Sequence, residues 1–218
     1  MTQRSLPAPP AIPPLGTSPV RAVLLDADGV LQLIGTPWEQ ALTESGGELF
    51  SRRLLAEEGP ALMGEEDLRT LLARLVEELE LTTGVEDLLE LWWRATPDPL
   101  AWQTVRDLKA AGYTTVLATN QQRERRAWMR SALGYDGLCD VDAYSCTLGV
   151  AKPSPDYFRT VLELVGASPQ EALFVDDNAA NVDTAAALGI RTILHPADAG
   201  GDLLRHELAA ALTNGAHP

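Results

Sequence analysis

Apolar positions follow two different rhythms along this chain, and the change of rhythm marks its organisation. Val23, Leu24 and Leu25 form a continuous apolar run, the pattern of a strand buried on both faces. From Pro37 to about Thr96 the period lengthens: Leu68, Leu71, Leu72, Leu75, Val76 and Leu79 recur at helical spacing, with Glu and Arg on the opposite face. Shorter helices are expected over residues 38–43, 48–57 and 85–94, punctuated by Gly46, Gly47, Gly59, Pro60 and Gly84. From Pro97 onward, helices over 99–111, 122–133, 155–165 and 179–188 alternate with strands over 113–118, 141–144, 172–176 and 190–194. Such alternation implies right-handed crossovers and a parallel sheet covered by helices on both faces.

The first strand belongs to that sheet, so the core is discontinuous. Residues 20–36 plus 97–212 are expected to form an α/β, Rossmann-like parallel-sheet core, with residues 37–96 inserted as an α-helical domain. Residues 1–19 are rich in Pro and lack core-forming periodicity, which reads as a disordered, extended tail, and residues 213–218 as a flexible one.

The chain has 218 residues, room for one large core or a core plus a smaller domain. Hydrophobic residues at 45% and charged residues at 22% are ordinary for a soluble protein. A formal charge of −14 argues against nucleic acid as a partner, because that binding rests on Lys and Arg neutralising phosphates. No apolar stretch has the length of a membrane span and the first residues lack a signal pattern, so no membrane partner is expected and a cytoplasmic location is. Cys139 and Cys146 are too few for a disulfide framework and read as buried thiols.

The chemistry concentrates where the strands end, which is where open α/β sheets bind ligands. The first run exits into Asp26, Ala27, Asp28 and Gly29. Alternation puts both carboxylates on one side, and close carboxylates repel unless a cation lies between them or one keeps a proton. Thr119 and Asn120 close the second strand, as helix caps or as an anion cradle. Lys152, one of two lysines against fifteen arginines, precedes Pro153, which gives it a defined direction. Leu173, Phe174 and Val175 exit into Asp176 and Asp177. Acid pairs on two strands of one sheet point to a hard divalent cation, most plausibly Mg²⁺.

In that order the four pieces resemble the haloacid dehalogenase (HAD) superfamily: Asp26-Ala27-Asp28-Gly29-Val30, Thr119-Asn120, Lys152-Pro153, and Asp176-Asp177 followed by Asn181. The resemblance spans residues 20–195, and the helical insert matches the family's C1 cap. It implies a Mg²⁺-dependent phosphatase that hydrolyses a small phosphorylated metabolite, a phosphate monoester, through an aspartyl phosphate. By that resemblance Asp26 is nucleophile and metal ligand. Asp28 is acid/base, with its backbone carbonyl on the metal. Thr119 and the Asn120 N–H hold phosphoryl oxygens, Lys152 neutralises charge, and Asp177 binds the metal with Asp176 supporting.

Ala27, where larger apolar residues are common, is expected to open the floor beside the site. Arg123, Arg125, Arg126 and Arg130 read as a solvated helix face, Trp38, Trp92 and Trp93 as packing, and His195 as structural. A 2-haloacid dehalogenase attacks carbon and needs no proton donor two residues after its nucleophile, so Asp28 favours phosphate. A phosphomutase of this fold often uses a basic cap residue, and residues 37–96 contain no Lys or His. A receiver domain shares these residue types but places its phosphorylated Asp in the middle. A catalytically silent HAD-fold interaction protein is the alternative of another class, opposed by the complete set of catalytic residue types.

Overall fold

The computed structural model describes residues 9–213. Among them lie strands β1 (Ala22–Leu25), β2 (Gln32–Leu33), β3 (Thr96–Pro97), β4 (Thr114–Thr119), β5 (Val141–Tyr144), β6 (Ala172–Asp176) and β7 (Arg191–Leu194). Five of these form one parallel sheet in the order β5-β4-β1-β6-β7. Between β2 and β3 run α1 (Trp38–Glu57), α2 (Gly59–Leu62), α3 (Leu68–Glu78) and α4 (Val85–Leu89), the last continued by a 3-10 turn over Glu90–Trp93. After β3 come α5 (Pro99–Ala110), α6 (Arg123–Trp128) with a π-helical turn over Met129–Leu133, α7 (Ser145–Leu148), α8 (Pro155–Val165), α9 (Ala179–Ala187) and α10 (Gly200–Thr213).

Side-chain alternation explains why the first strand is apolar throughout. Val23 and Leu25 pack with Val105 and Leu108 of α5 and Leu204 and Leu208 of α10. Ala22 and Leu24 face the other way, onto Phe158 and Val161 of α8 and Ala185 of α9. Each fully buried aliphatic side chain of this kind contributes about 1.5–3 kcal/mol. The inserted helices have an apolar cluster of their own, which includes Leu42, Phe50, Leu54, Leu71, Leu75 and Trp92. Antiparallel pairing of Gln32 with Pro97 and Leu33 with Thr96 brings the two ends of the insert together.

The structure departs from the expected elements in several places. Helices expected over 38–43 and 48–57 lie in one element, interrupted where Gly47 takes φ 85° and ψ 167°. β2 and β3 are two residues each, too short to leave a period in the sequence. α10 was not among the expected helices, although Leu204, Leu208 and Leu212 at i, i+4 spacing carry it onto the core. Residues 1–8 and 214–218 of the expected tails lie outside the described residues, and Thr213 is the last residue of α10.

Residues 9–19 do not form the disordered tail expected of them. Ile12 packs against the core, Leu15 N–H donates to the Ala111 carbonyl at 3.0 Å, and Arg205 Nε donates to the Pro10 carbonyl at 2.8 Å. An extended Pro-rich strap offers unpaired carbonyls to neighbouring donors, and composition does not reveal that such donors are nearby.

Candidate active site

β1, β4 and β6 are neighbours with one direction, so the residues that follow them meet at a single sheet edge. Asp26 is 8% exposed, and its N–H still continues the ladder to the Val175 carbonyl at 3.0 Å. Its Oδ1 accepts from the Ala27 N–H at 2.8 Å and lies 3.0 Å from the Lys152 ammonium. Oδ2 has no hydrogen bond among the described residues. The Lys152 Nζ, almost fully buried, also donates to Asp176 Oδ2 at 2.6 Å and to the Ala118 carbonyl at 2.8 Å, which commits all three of its protons. Burial alone would lower the Lys152 pKa, but Asp26 and Asp176 outweigh it and raise the value.

Asp176 and Asp177, adjacent in sequence, have different surroundings. Asp176 is inaccessible: besides Lys152 it accepts from the Asn178 N–H at 2.8 Å and from the Asn181 Nδ2, which lies 3.1 Å from both of its oxygens. Asp177 lines the cavity instead. Gly29 sits at φ 76°, and a Cβ there would lie 2.6 Å from Asp177 Oδ2. Any side chain at position 29 would both strain the turn and displace Asp177.

Oxygens of Asp26, Asp176 and Asp177 come within 4.8 Å of one another. Burial pushes the Asp26 carboxyl up to about 7, where Lys152 opposes it and the charges of Asp176, Asp28 and Asp177 add to it. Burial, with Asp176 next, pushes Asp177 up to about 6. Crowded, desolvated carboxylates with only oxygen donors match the requirements of a hard divalent cation.

Asp28 is where the structure adds most to the sequence. Its Oδ1 accepts from Gln32 Nε2 and Arg125 Nη2, both at 2.7 Å, and its Oδ2 from Gln121 Nε2 at 3.2 Å. Gln32 is itself fixed by the Tyr135 hydroxyl at 3.0 Å. Arg125 corrects the expectation of a solvated face: it is fully buried, donates to the Trp92 carbonyl at 2.5 Å and stacks on Trp38 at 4.9 Å. Arg123 and Arg130 do point outward, to Asp67 and Asp136. Arg125→Ala is expected to lower unfolding free energy by about 3 kcal/mol, toward the lower end for a broken buried pair because Asp28 faces the cavity and can regain water. Urea unfolding measures it; a loss under about 0.5 kcal/mol, the ordinary surface range, would show the pair to be incidental.

Asn120 clamps the Lys152 backbone, donating through Nδ2 to its carbonyl at 2.7 Å and accepting from its N–H at 2.9 Å. Thr119, 1% exposed, lines the cavity and its hydroxyl accepts from Gln121. The cavity, about 390 Å³, is walled on the other side by Trp38, Leu42, Leu54, Leu55, Glu58 and Trp92 of the insert. Trp38 and Trp92 therefore both pack, 5.7 Å apart, and line the cavity. Ala27 does not open the floor; its side chain belongs to the apolar core beneath. His195 is buried against Glu207 at 2.7 Å, away from the cavity lining. Cys139 and Cys146 are free, buried thiols, and burial pushes Cys139 up to about 12.

Gln32, Gln121, Arg125, Gln122 and Glu58 were not picked out as site residues from the sequence. The only signal was position: Gln121 and Gln122 follow Thr119-Asn120 directly, and Arg125 lies one helical turn beyond Gln122.

A family model described as haloacid dehalogenase-like hydrolase matches residues 20–189. The chain is 27% identical over 200 residues to (S)-2-haloacid dehalogenase 1 of a Pseudomonas species, covering 80% of this chain and 84% of that one. It is 28% identical over 193 residues to Phosphatase MT3486 of Mycobacterium tuberculosis, covering 80% and 87%. It is also 35% identical over 96 residues to mouse acyl-CoA dehydrogenase family member 10, of whose length it spans only 9%. Among solved structures, a HAD family enzyme of Bacteroides thetaiotaomicron, crystallised as a magnesium complex, superposes with a TM-score of 0.70 at 19% identity, over 81% of this chain and 93% of that one. Among the described residues, no helix is long and apolar enough to cross a membrane.

Proposed function

The chain belongs to the haloacid dehalogenase-like hydrolases, and from that premise we propose that it is a Mg²⁺-dependent phosphatase acting on a small phosphate monoester. The observation that carries this reading is the pairing of Asp26, which lines the cavity and whose Oδ2 has no hydrogen bond among the described residues, with a second carboxylate, Asp28, two residues on and supported by its own set of donors. A phosphatase relative supports it, and so does the magnesium found with a structural neighbour.

In this mechanism Asp26 attacks phosphorus, forming the Asp26–phosphate bond as the bond to the alcohol oxygen breaks. Protonated Asp28 gives its proton to that oxygen, then as a carboxylate takes one from the water that cleaves the aspartyl phosphate. Thr119 and the Asn120 N–H hold phosphoryl oxygens, while Asn120 keeps Lys152 where its ammonium neutralises Asp26 and the transferring group.

Asp26, Asp177 and the Asp28 carbonyl would hold Mg²⁺, with Asp176 supporting Lys152. When bound, the ion supplies positive charge against the phosphoryl oxygens. Residues 37–96 act as a cap that closes the site, tied to the core by Gln122 with Glu58 and by Arg125 with the Trp92 carbonyl. A 2-haloacid is attacked at carbon and needs no proton donor two residues after the nucleophile, so Asp28, held by Gln32, Gln121 and Arg125, favours phosphate.

The test is phosphate release from an aryl phosphate by the purified protein, with Asp28→Asn as the diagnostic variant. Its rate is expected to fall by about 10²- to 10⁴-fold, the usual contribution of a general acid/base. An unchanged rate would remove Asp28 from that role, and absence of release by the native chain would remove the phosphatase reading.

A further inference from the structure

We propose that the alcohol half of the substrate is apolar, carries no anionic group, and presents a hydroxyl or amino donor to Glu58 and Gln122 on the cap side of the cavity. The inference rests on the phosphatase reading above and extends it to the group that leaves.

The cavity has two unlike ends. At the sheet edge its lining is polar and acidic, through Asp26, Asp28, Thr119, Asn120 and Asp177. At the cap end Trp38, Leu42, Leu54, Leu55, Leu62 and Trp92 leave a greasy wall interrupted by one charged side chain, Glu58. The arginines of the insert do not line the cavity. Arg53 and Arg74 are engaged by Glu57, Glu78 and Glu66, and Arg69 by Glu86; Arg94 lies over the Trp38 ring and donates to the Thr36 carbonyl, and Arg52 is exposed. A carboxylate or second phosphate on the alcohol would therefore be desolvated without a cation partner and would face Glu58.

Two acceptors are left open where the wall is polar. Glu58 Oε2 takes the Gln122 Nε2 proton at 3.0 Å, while Oε1 has no hydrogen bond among the described residues. Gln122 is 3% exposed, and its Oε1 is buried with no partner among the described residues. A buried acceptor left unpaired costs the full desolvation of that group, so a ligand donor here is recognised strongly. Burial also pushes the Glu58 carboxyl up to about 7, against the hydrogen bond from Gln122, and a donor or ammonium ion from the ligand relieves that cost.

A matched series of phenyl phosphates bearing para-hydroxymethyl, para-aminomethyl, para-methyl or para-carboxylate groups tests this with the chain as it stands. The hydroxymethyl and aminomethyl esters should exceed the carboxylate in kcat/KM by at least about 100-fold, since sites with buried polar groups discriminate strongly against substrates that leave them unpaired. Glu58→Gln should narrow that ratio for the aminomethyl ester, and Glu58→Lys should shift preference toward the carboxylate. Equal turnover of the carboxylate and hydroxymethyl esters by the native chain overturns the inference, as does a folded Glu58→Lys variant with an unaltered ratio. No phosphate from any ester would instead overturn the phosphatase reading, and this inference with it.

Discussion

Asp26→Asn is expected to abolish phosphate release, by roughly 10⁴- to 10⁶-fold, while the protein stays folded. The amide keeps the shape of the side chain and can still accept from the Ala27 N–H, but it is not a nucleophile. Stability should hold or rise. Burial and the neighbouring acids make an ionised Asp26 costly, with its carboxyl pushed up to about 7 despite Lys152. A neutral amide removes that cost, and Lys152 keeps Asp176 at 2.6 Å and the Ala118 carbonyl at 2.8 Å. The two readouts are thus expected to move apart, turnover collapsing and thermal midpoint steady or higher, the trade-off common where a site is built for chemistry. Turnover surviving in a folded Asp26→Asn protein would remove Asp26 as the nucleophile.

The second large effect concerns the cation. Treatment with EDTA is expected to lower turnover by about 10³-fold or more, and added Mg²⁺ to restore it, because several kcal/mol of charge stabilisation are withdrawn. The pH dependence has a definite sign. Without metal, Asp26 and Asp177 sit at about 7 and about 6 because of burial and the neighbouring carboxylates, so protons compete with the ion for the same oxygens. The Mg²⁺ concentration giving half-maximal rate should therefore rise as pH falls from 8 through 7 and 6, and level off above 8. Turnover unaffected by EDTA would sink the metal requirement and direct attention to dehalogenation.

How much of this could be read from residues alone differs sharply between the two sides of the cavity. The sheet, its strand runs and the acids at their exits were legible because buried parallel strands impose apolar runs, and a polar group at the end of such a run stands out. Gly29 was legible as a turn residue, but not as the gap that admits Asp177, since that contact joins positions 148 residues apart. Arg125 was misread for a similar reason. Four arginines on one short stretch share a composition, and only the approach of Trp38, Trp92 and Trp128 selects one for burial.

Glu58 illustrates the limit most clearly. It follows Glu57 directly, as the cap residue between α1 and α2; Glu57 is spent on Arg53 and Arg74, while its neighbour turns to Gln122 and the cavity. Nothing local separates the two, because helical periodicity fixes which face a residue occupies and not what the face meets.

The sequence by itself determined the α/β class, the inserted helical segment, the acids and threonine at the strand ends and the lysine before Pro153, because these follow from continuous apolar runs, from the 3.6-residue period and from residue chemistry at fixed points of a sheet. The tertiary structure alone decided that Arg125, Gln32 and Gln121 hold Asp28, that Asp176 is consumed by Lys152 and the asparagines while Asp177 faces the cavity, and that the cavity wall formed by the inserted helices is apolar around Glu58. Apart from the short-range bonds of Gln32 to Asp28 and of Asn178 and Asn181 to Asp176, these are contacts between elements distant in the chain, set by how the layers pack, and no local pattern encodes them.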